Sequence, residues 1–199
     1  MIVIGIDPSL AHTGVCILTP TAMVIQSLLT SSDDCRPARL VSLREDVIGL
    51  LLDGLSSGET VVVVMESQIW SHNPALYAAD AAVHAVLQVA LWEQFRHRTT
   101  GRRFISVNPS QVKKWLGARQ KSEVLLQVYK RYGEEFSDHN EADAYALAQI
   151  GVEFESRLSG KSVDLTKPQH QVLDALEKSG LPWEQRPETR RRGRKRAGR

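Results

Sequence analysis

The chain has 199 residues, 42% of them hydrophobic, and a formal charge of +2, which suits one domain with a real core. Two cysteines, Cys16 in an apolar run and Cys35 in a polar loop, argue against a disulfide framework and fit a reducing cytosol. Charges interrupt the apolar stretches before the roughly 20 residues that span a bilayer, and no basic segment precedes an apolar one at the amino terminus. The expectation is a soluble, unexported protein with no membrane partner.

Residues 2 to 7, 12 to 19 and 22 to 29 read as strands rich in Val, Ile and Leu, and their short connections predict an antiparallel meander. Leu40, Leu43, Val47, Leu50, Leu51 and Leu55 then fall at helical spacing over 37 to 55, before a strand at 60 to 66. The alanine-rich stretch 74 to 97 predicts a helix packed on a sheet, with Pro74 in its first turn and Trp92 as a packing residue. Phe104 to Val107 reads as a short strand, followed by a helix from Gln111 with Ser110 as its cap and Trp115 in its core. Further helices are expected at about 121 to 132 and from Asn140 to about Leu158. Three leading strands followed by helix, strand, helix, strand and helices predict an α/β fold, a mixed five-stranded sheet flanked by helices.

The domain is therefore placed at 1–158, with 159–185 as a linker that holds a short helix from Pro168 to Leu181. The segment 186–199 carries eight Lys or Arg and one acid, leaving 17 basic and 22 acidic residues in the body, a net of −5. Such a tail has no apolar surface to bury, so it is expected to be disordered and to bind polyanions by counterion release.

Three acids stand at comparable exits from apolar elements. Asp7 ends Ile2-Val3-Ile4-Gly5-Ile6, and Glu66 ends Val61-Val62-Val63-Val64-Met65, with no cation near it in sequence. Asp143 opens the apolar helix Ala142-Asp143-Ala144-Tyr145-Ala146. Brought to one sheet edge, they would suit a hard divalent cation, because isolated buried carboxylates are costly unless a cation keeps them ionised. Asn140, one helical turn before Asp143, is placed either to lend an oxygen to the same ion or to cap the helix.

Gly5-Ile6-Asp7-Pro8-Ser9 with Thr13-Gly14, Glu66, Asn108-Pro109-Ser110-Gln111-Val112-Lys113 and Glu141-Ala142-Asp143-Ala144, in that order, resemble the RuvC-like Holliday-junction resolvases and their phage-encoded relatives. The resemblance covers roughly residues 1 to 155 and implies a ribonuclease-H-like fold. It implies a cytoplasmic, nucleoid-associated endodeoxyribonuclease, bacterial or phage-encoded, that cuts branched DNA as a homodimer without a small-molecule cofactor. Asp7, Glu66 and Asp143 would be metal-binding carboxylates for two Mg²⁺ or Mn²⁺ ions. Asn140 stands where the family carries Asp or His, so the fourth ligand lies among Asn140, Asp138 and His139. Lys121 would assist catalysis, and Ser9, Trp70, Lys113, Lys114, Arg119 and Lys121 would contact DNA, with Trp70 stacking on an unpaired base. The long helix 74 to 97 is the candidate dimer surface. A non-catalytic branched-DNA-binding protein of the same fold is the alternative, whereas an actin-like or sugar-kinase ATPase would need a second related domain and glycine-rich loops.

Overall fold

The computed structural model describes residues 1–54, 59–68, 71–96, 101–162 and 164–179. Strands β1 (Ile2–Asp7), β2 (His12–Leu18) and β3 (Met23–Leu29) form the expected antiparallel meander. Strand β4 (Thr60–Glu66) returns parallel to β1, and β5 (Gly101–Val107) lies parallel to β4, giving the order β3-β2-β1-β4-β5. Strand β5 begins before the apolar run at Phe104. Arg103 is tolerated in the ladder because Glu155 pairs with it at 3.2 Å, a contact that sequence spacing does not reveal.

The central strands are apolar on both sides because both faces of the sheet are covered. Ile2, Ile4 and Ile6, with Val61, Val63 and Met65, pack on one face with Leu43, Val47 and Leu51 of α1 (Arg36–Gly54) and Val83, Leu87 and Leu91 of α2 (Pro74–Phe95). Val3, Val62, Val64, Ile105 and Val107 face the other way, onto α3 (Pro109–Leu116), α4 (Val124–Tyr132) and α5 (His139–Leu158). A single 3-10 turn, Lys121–Glu123, leads into α4, where the sequence predicted one continuous helix.

Helix α5 crosses the sheet closely because glycines lie beneath it. A Cβ on Gly5 would sit 2.0 Å from the Ala144 carbonyl oxygen, and one on Gly14 would sit 2.1 Å from that of Asn140. Gly14 pairs with Asp7 across β1 and β2, so the glycine that admits the start of α5 lies beside the first acid.

The cap assignments differ from expectation. Asn108, not Ser110, caps α3: its Oδ1 accepts from the Ser110 N–H at 2.9 Å, Gln111 answers on the Asn108 N–H, and Pro109 takes a first-turn position that needs no hydrogen bond. Asp138, not Asn140, caps α5. Trp115 is buried as expected and donates to Tyr132 Oη at 2.9 Å, but Trp92 is 37% exposed, on the side of α2 away from the sheet.

Helix α2 has 22 residues and a mean hydropathy of 1.3 over its most apolar window, so among the described residues one helix is, by length and composition, apolar enough to cross a membrane, contrary to expectation. In the fold, its stripe of Val83, His84, Leu87, Ala90, Leu91 and Phe95 is buried. Helix α6 (Lys167–Ser179) lies in the span read as a linker, yet Val172, Leu173 and Leu176 join the α5-side core, and Arg157 of α5 holds Asp174 at 2.6 Å. Trp70 and the basic tail 186–199 lie outside the described residues.

Candidate active site

Strands β1 and β4 are parallel neighbours paired through Ile6 and Met65, so Asp7 and Glu66 leave the sheet side by side at their carboxyl ends. Helix α5 begins over the same edge and brings Asp143 to them, buried like Asp7. This is where an open α/β sheet presents its ligand site.

The three acids are crowded. The carboxyl groups of Asp7 and Glu66 lie close enough to perturb each other's ionisation. Burial, then hydrogen bonding to Asp7 and its charge, push the Glu66 carboxyl up to about 9. Asp7 is also raised, chiefly by burial. Burial and the nearby Asp7 push Asp143 up to about 6, opposed by Lys121, whose Nζ lies 3.5 Å from Asp143 Oδ2. For Lys121, burial opposes the charged form but Asp143, Asp7 and Glu66 outweigh it, so its pKa rises. Among the described residues, no three His, Cys, Asp or Glu side chains close into a metal cage. The Lys121 ammonium, 3.5 Å from Asp143, is the cation that faces the acids. A set of oxygen donors that cannot all ionise without a cation has the chemistry of a hard-ion site, so these residues fit Mg²⁺ or Mn²⁺.

A cleft of about 590 Å³ opens over Asp7 and Glu66, lined also by Ser9, Lys121 and Asn140 among others. Its rim loop is held in place: the Ser9 N–H donates to Thr13 Oγ1 at 3.1 Å, and that hydroxyl donates back to the Ser9 carbonyl at 2.6 Å. A smaller adjoining cleft of about 220 Å³ is shared by Glu66, Lys113, Lys121 and Asp143. Lys114 and Arg119 are exposed and line neither cleft.

Of the three candidates for a fourth ligand, Asn140 lines the larger of these two clefts, and Asp138 and His139 line neither. Asp138 spends one oxygen on Asn140, and although burial opposes its ionisation, hydrogen bonding and nearby His12 hold its pKa below the ordinary value. His139 has a buried Nδ1 without a hydrogen bond among the described residues.

Three cleft residues were missed in the sequence. Asp80 and His84, one turn apart on α2, face the acids, with His84 Nε2 3.7 Å from Asp80 Oδ1. Two polar residues at that spacing in an apolar helix were a readable signal. Burial lowers the His84 pKa against the pull of Asp80 and Asp7. Arg39 of α1 donates from Nε to Thr30 Oγ1 at 3.0 Å and from Nη2 to the Leu10 carbonyl at 3.1 Å, bracing the rim loop. Nothing in its surroundings in sequence marked it.

This strand order, with acids at the ends of β1 and β4 and a third on the crossing helix, places the chain in the ribonuclease-H-like class. The RuvC of Thermus thermophilus in complex with a Holliday junction substrate superposes with a TM-score of 0.61 at 25% identity, over 79% of this chain and 96% of that one. A second T. thermophilus RuvC structure gives 0.58 at 25% identity, over 80% and 97%. The yeast mitochondrial Holliday junction resolvase Ydc2 shares the fold, with a TM-score of 0.50 at 13% identity over 79% and 82%. No protein-family model and no curated protein sequence matches the chain. In fold the chain is similar to these RuvC structures.

Proposed function

We propose that this protein is a metal-dependent endonuclease that cuts branched DNA, with four-way junctions as its foremost substrate. The observation that carries this is the convergence of Asp7, Glu66 and Asp143, with Lys121, on two adjoining clefts at the carboxyl ends of β1 and β4. The similarity to a RuvC structure holding a Holliday junction supports the substrate class.

Asp7, Glu66, Asp143 and the Asn140 oxygen would hold two Mg²⁺ or Mn²⁺ ions. When bound, such ions activate water and polarise the phosphodiester for in-line attack. The braced, small-residue rim at Ser9 lets a phosphate approach the acids closely. The Lys121 ammonium, drawn to the acids but exposed on its outer side, is free to swing onto charge developing on the phosphate. Lys113, on the adjoining cleft, steers the strand, while Lys114 and Arg119 contact backbone farther out. Trp70 would stack on an unpaired base and the basic tail would add non-specific affinity.

Junction cleavage needs two sites. On α2, Ala75, Ala78, Ala82, Ala85, Val89 and Trp92 repeat at alternating steps of three and four, the spacing of a helix-pairing seam. Val89 and Trp92 are exposed at one end of it, 55% and 37%. We assign this face to a homodimer. Val89→Glu with Trp92→Glu should yield a folded monomer that nicks one strand but no longer makes paired cuts, read by light scattering and by counting cuts in a cruciform plasmid. A dimer that persists would remove α2 from the interface.

The function itself is tested on a panel of four-way junctions, flaps, forks and linear duplexes, end-labelled and incubated with Mg²⁺. Symmetric 5′-phosphate nicks near the branch point, absent in EDTA, are expected. Junction binding without cleavage at any divalent-ion concentration would establish the non-catalytic alternative instead.

A further inference from the structure

An asparagine can offer either an oxygen or an NH₂ to the space before it, and a half-turn about its last torsion exchanges the two. At Asn140 the choice is made by Asp138. Asp138 Oδ1 accepts from the Asn140 backbone N–H at 2.8 Å and from Asn140 Nδ2 at 3.0 Å. A carboxylate only accepts, so the reversed amide would set two oxygens against each other at that distance. With Nδ2 committed to Asp138, Oδ1 is the atom left over, and no described residue donates to it. Asn140 lines the cleft together with Asp7, Glu66 and Lys121, whereas Asp138 does not.

We propose that Asp138 is a positioning residue that locks the Asn140 amide so that its carbonyl oxygen is presented to the cation site. The inference rests on the metal-dependent reading above. It also explains how a neutral side chain serves at this position. The helix cap and the amide lock are one carboxylate oxygen acting on two donors of a single residue, so the cation site is built into the start of α5.

The test is Mn²⁺ binding by the intact protein without DNA, followed by the electron paramagnetic resonance of free Mn²⁺, with thermal unfolding in EDTA as the control for folding. Asp138→Ser keeps an oxygen on the α5 N-terminus but is too short to hold Nδ2, and should weaken Mn²⁺ binding about 10-fold, the usual size of an outer-shell loss. Asp138→Asn retains an acceptor oxygen for both donors and should bind nearly as the wild type does. In an Asn140→Ala background, Asp138→Ser should add nothing further, because the group it positions is gone. Equal weakening by Asp138→Ser with and without Asn140, or by Asp138→Asn and Asp138→Ser alike, would show that Asp138 acts through its charge and would overturn the proposal alone. Wild-type protein that binds no Mn²⁺, or binding that survives Asp7→Asn, would overturn it together with the metal-dependent reading.

Discussion

Asp7→Asn is expected to lower Mg²⁺-dependent junction cleavage by at least about 10²-fold while leaving junction binding intact, and to make the metal-free fold more stable. Both effects come from one crowded cluster. In the folded chain Glu66 is pushed up to about 9 and Asp143 up to about 6, each chiefly by burial and next by Asp7. Groups with raised folded pKa values contribute stability that is complete below the ordinary carboxylate range and is lost as pH rises through the folded values. Without divalent cations, the cluster therefore weakens the wild-type fold progressively between about pH 4 and pH 9.

An asparagine at position 7 removes one of the competing charges, and its NH₂ can donate to an ionised Glu66. At about pH 8 in EDTA the variant should gain roughly 1–2 kcal/mol, a few degrees in Tm. Mg²⁺ should then raise the Tm of the wild type and not that of the variant, since the oxygen donor that compensates the ion has been weakened. Thermal scans at low and high pH, with and without Mg²⁺, separate these contributions. Cleavage within tenfold of wild type, or a lower Tm in EDTA, would mean that Asp7 is not part of a strained carboxylate cluster.

Gly5→Ala should be the most damaging small substitution in the sheet. Its added Cβ would lie 2.0 Å from the Ala144 carbonyl oxygen and 2.6 Å from the Ala148 nitrogen, both backbone atoms of α5. Neither obstacle is a flexible side chain, so helix and sheet must separate, at a cost of about 3 kcal/mol or more. The displaced turn also carries Asp143, and a shift of about 1 Å at a reacting centre costs on the order of 10²-fold in rate. Urea unfolding should show the loss of stability, and cleavage at saturating Mg²⁺ should fall even where the variant is fully folded. A change below about 0.5 kcal/mol would mean that α5 does not press on β1 as described.

The legible parts of this molecule share a physical origin. Strands β1 and β4 were readable because burial on both faces demands unbroken apolar runs, and Asp7 and Glu66 stood out as the polar residues that end them. Helix α5 was readable by its alanine-rich pattern, and Asp143 by its isolation within it. Pairwise contacts were not legible. Arg103 belongs to β5 because Glu155 meets it from α5, and Trp92 is exposed because it lies off the stripe of α2 that Val83, Leu87 and Leu91 bury. Asn108 and Asp138 displaced Ser110 and Asn140 as caps, since several residues of the capping type stood together and only backbone direction chose among them. Asp80 and His84 reached the cleft from α2 with no mark of chemistry in sequence beyond polarity at helical spacing, and Arg39 from α1 with no mark at all.

The amino-acid sequence by itself determined the layered α/β architecture, the three acids and their order along the chain, because apolar periodicity and strand ends are local properties. Only the tertiary structure decided how closely those acids crowd one another and which of three neighbouring residues lines the cleft. Those outcomes depend on distances of a few ångströms between segments far apart in the chain, set by the glycines beneath α5.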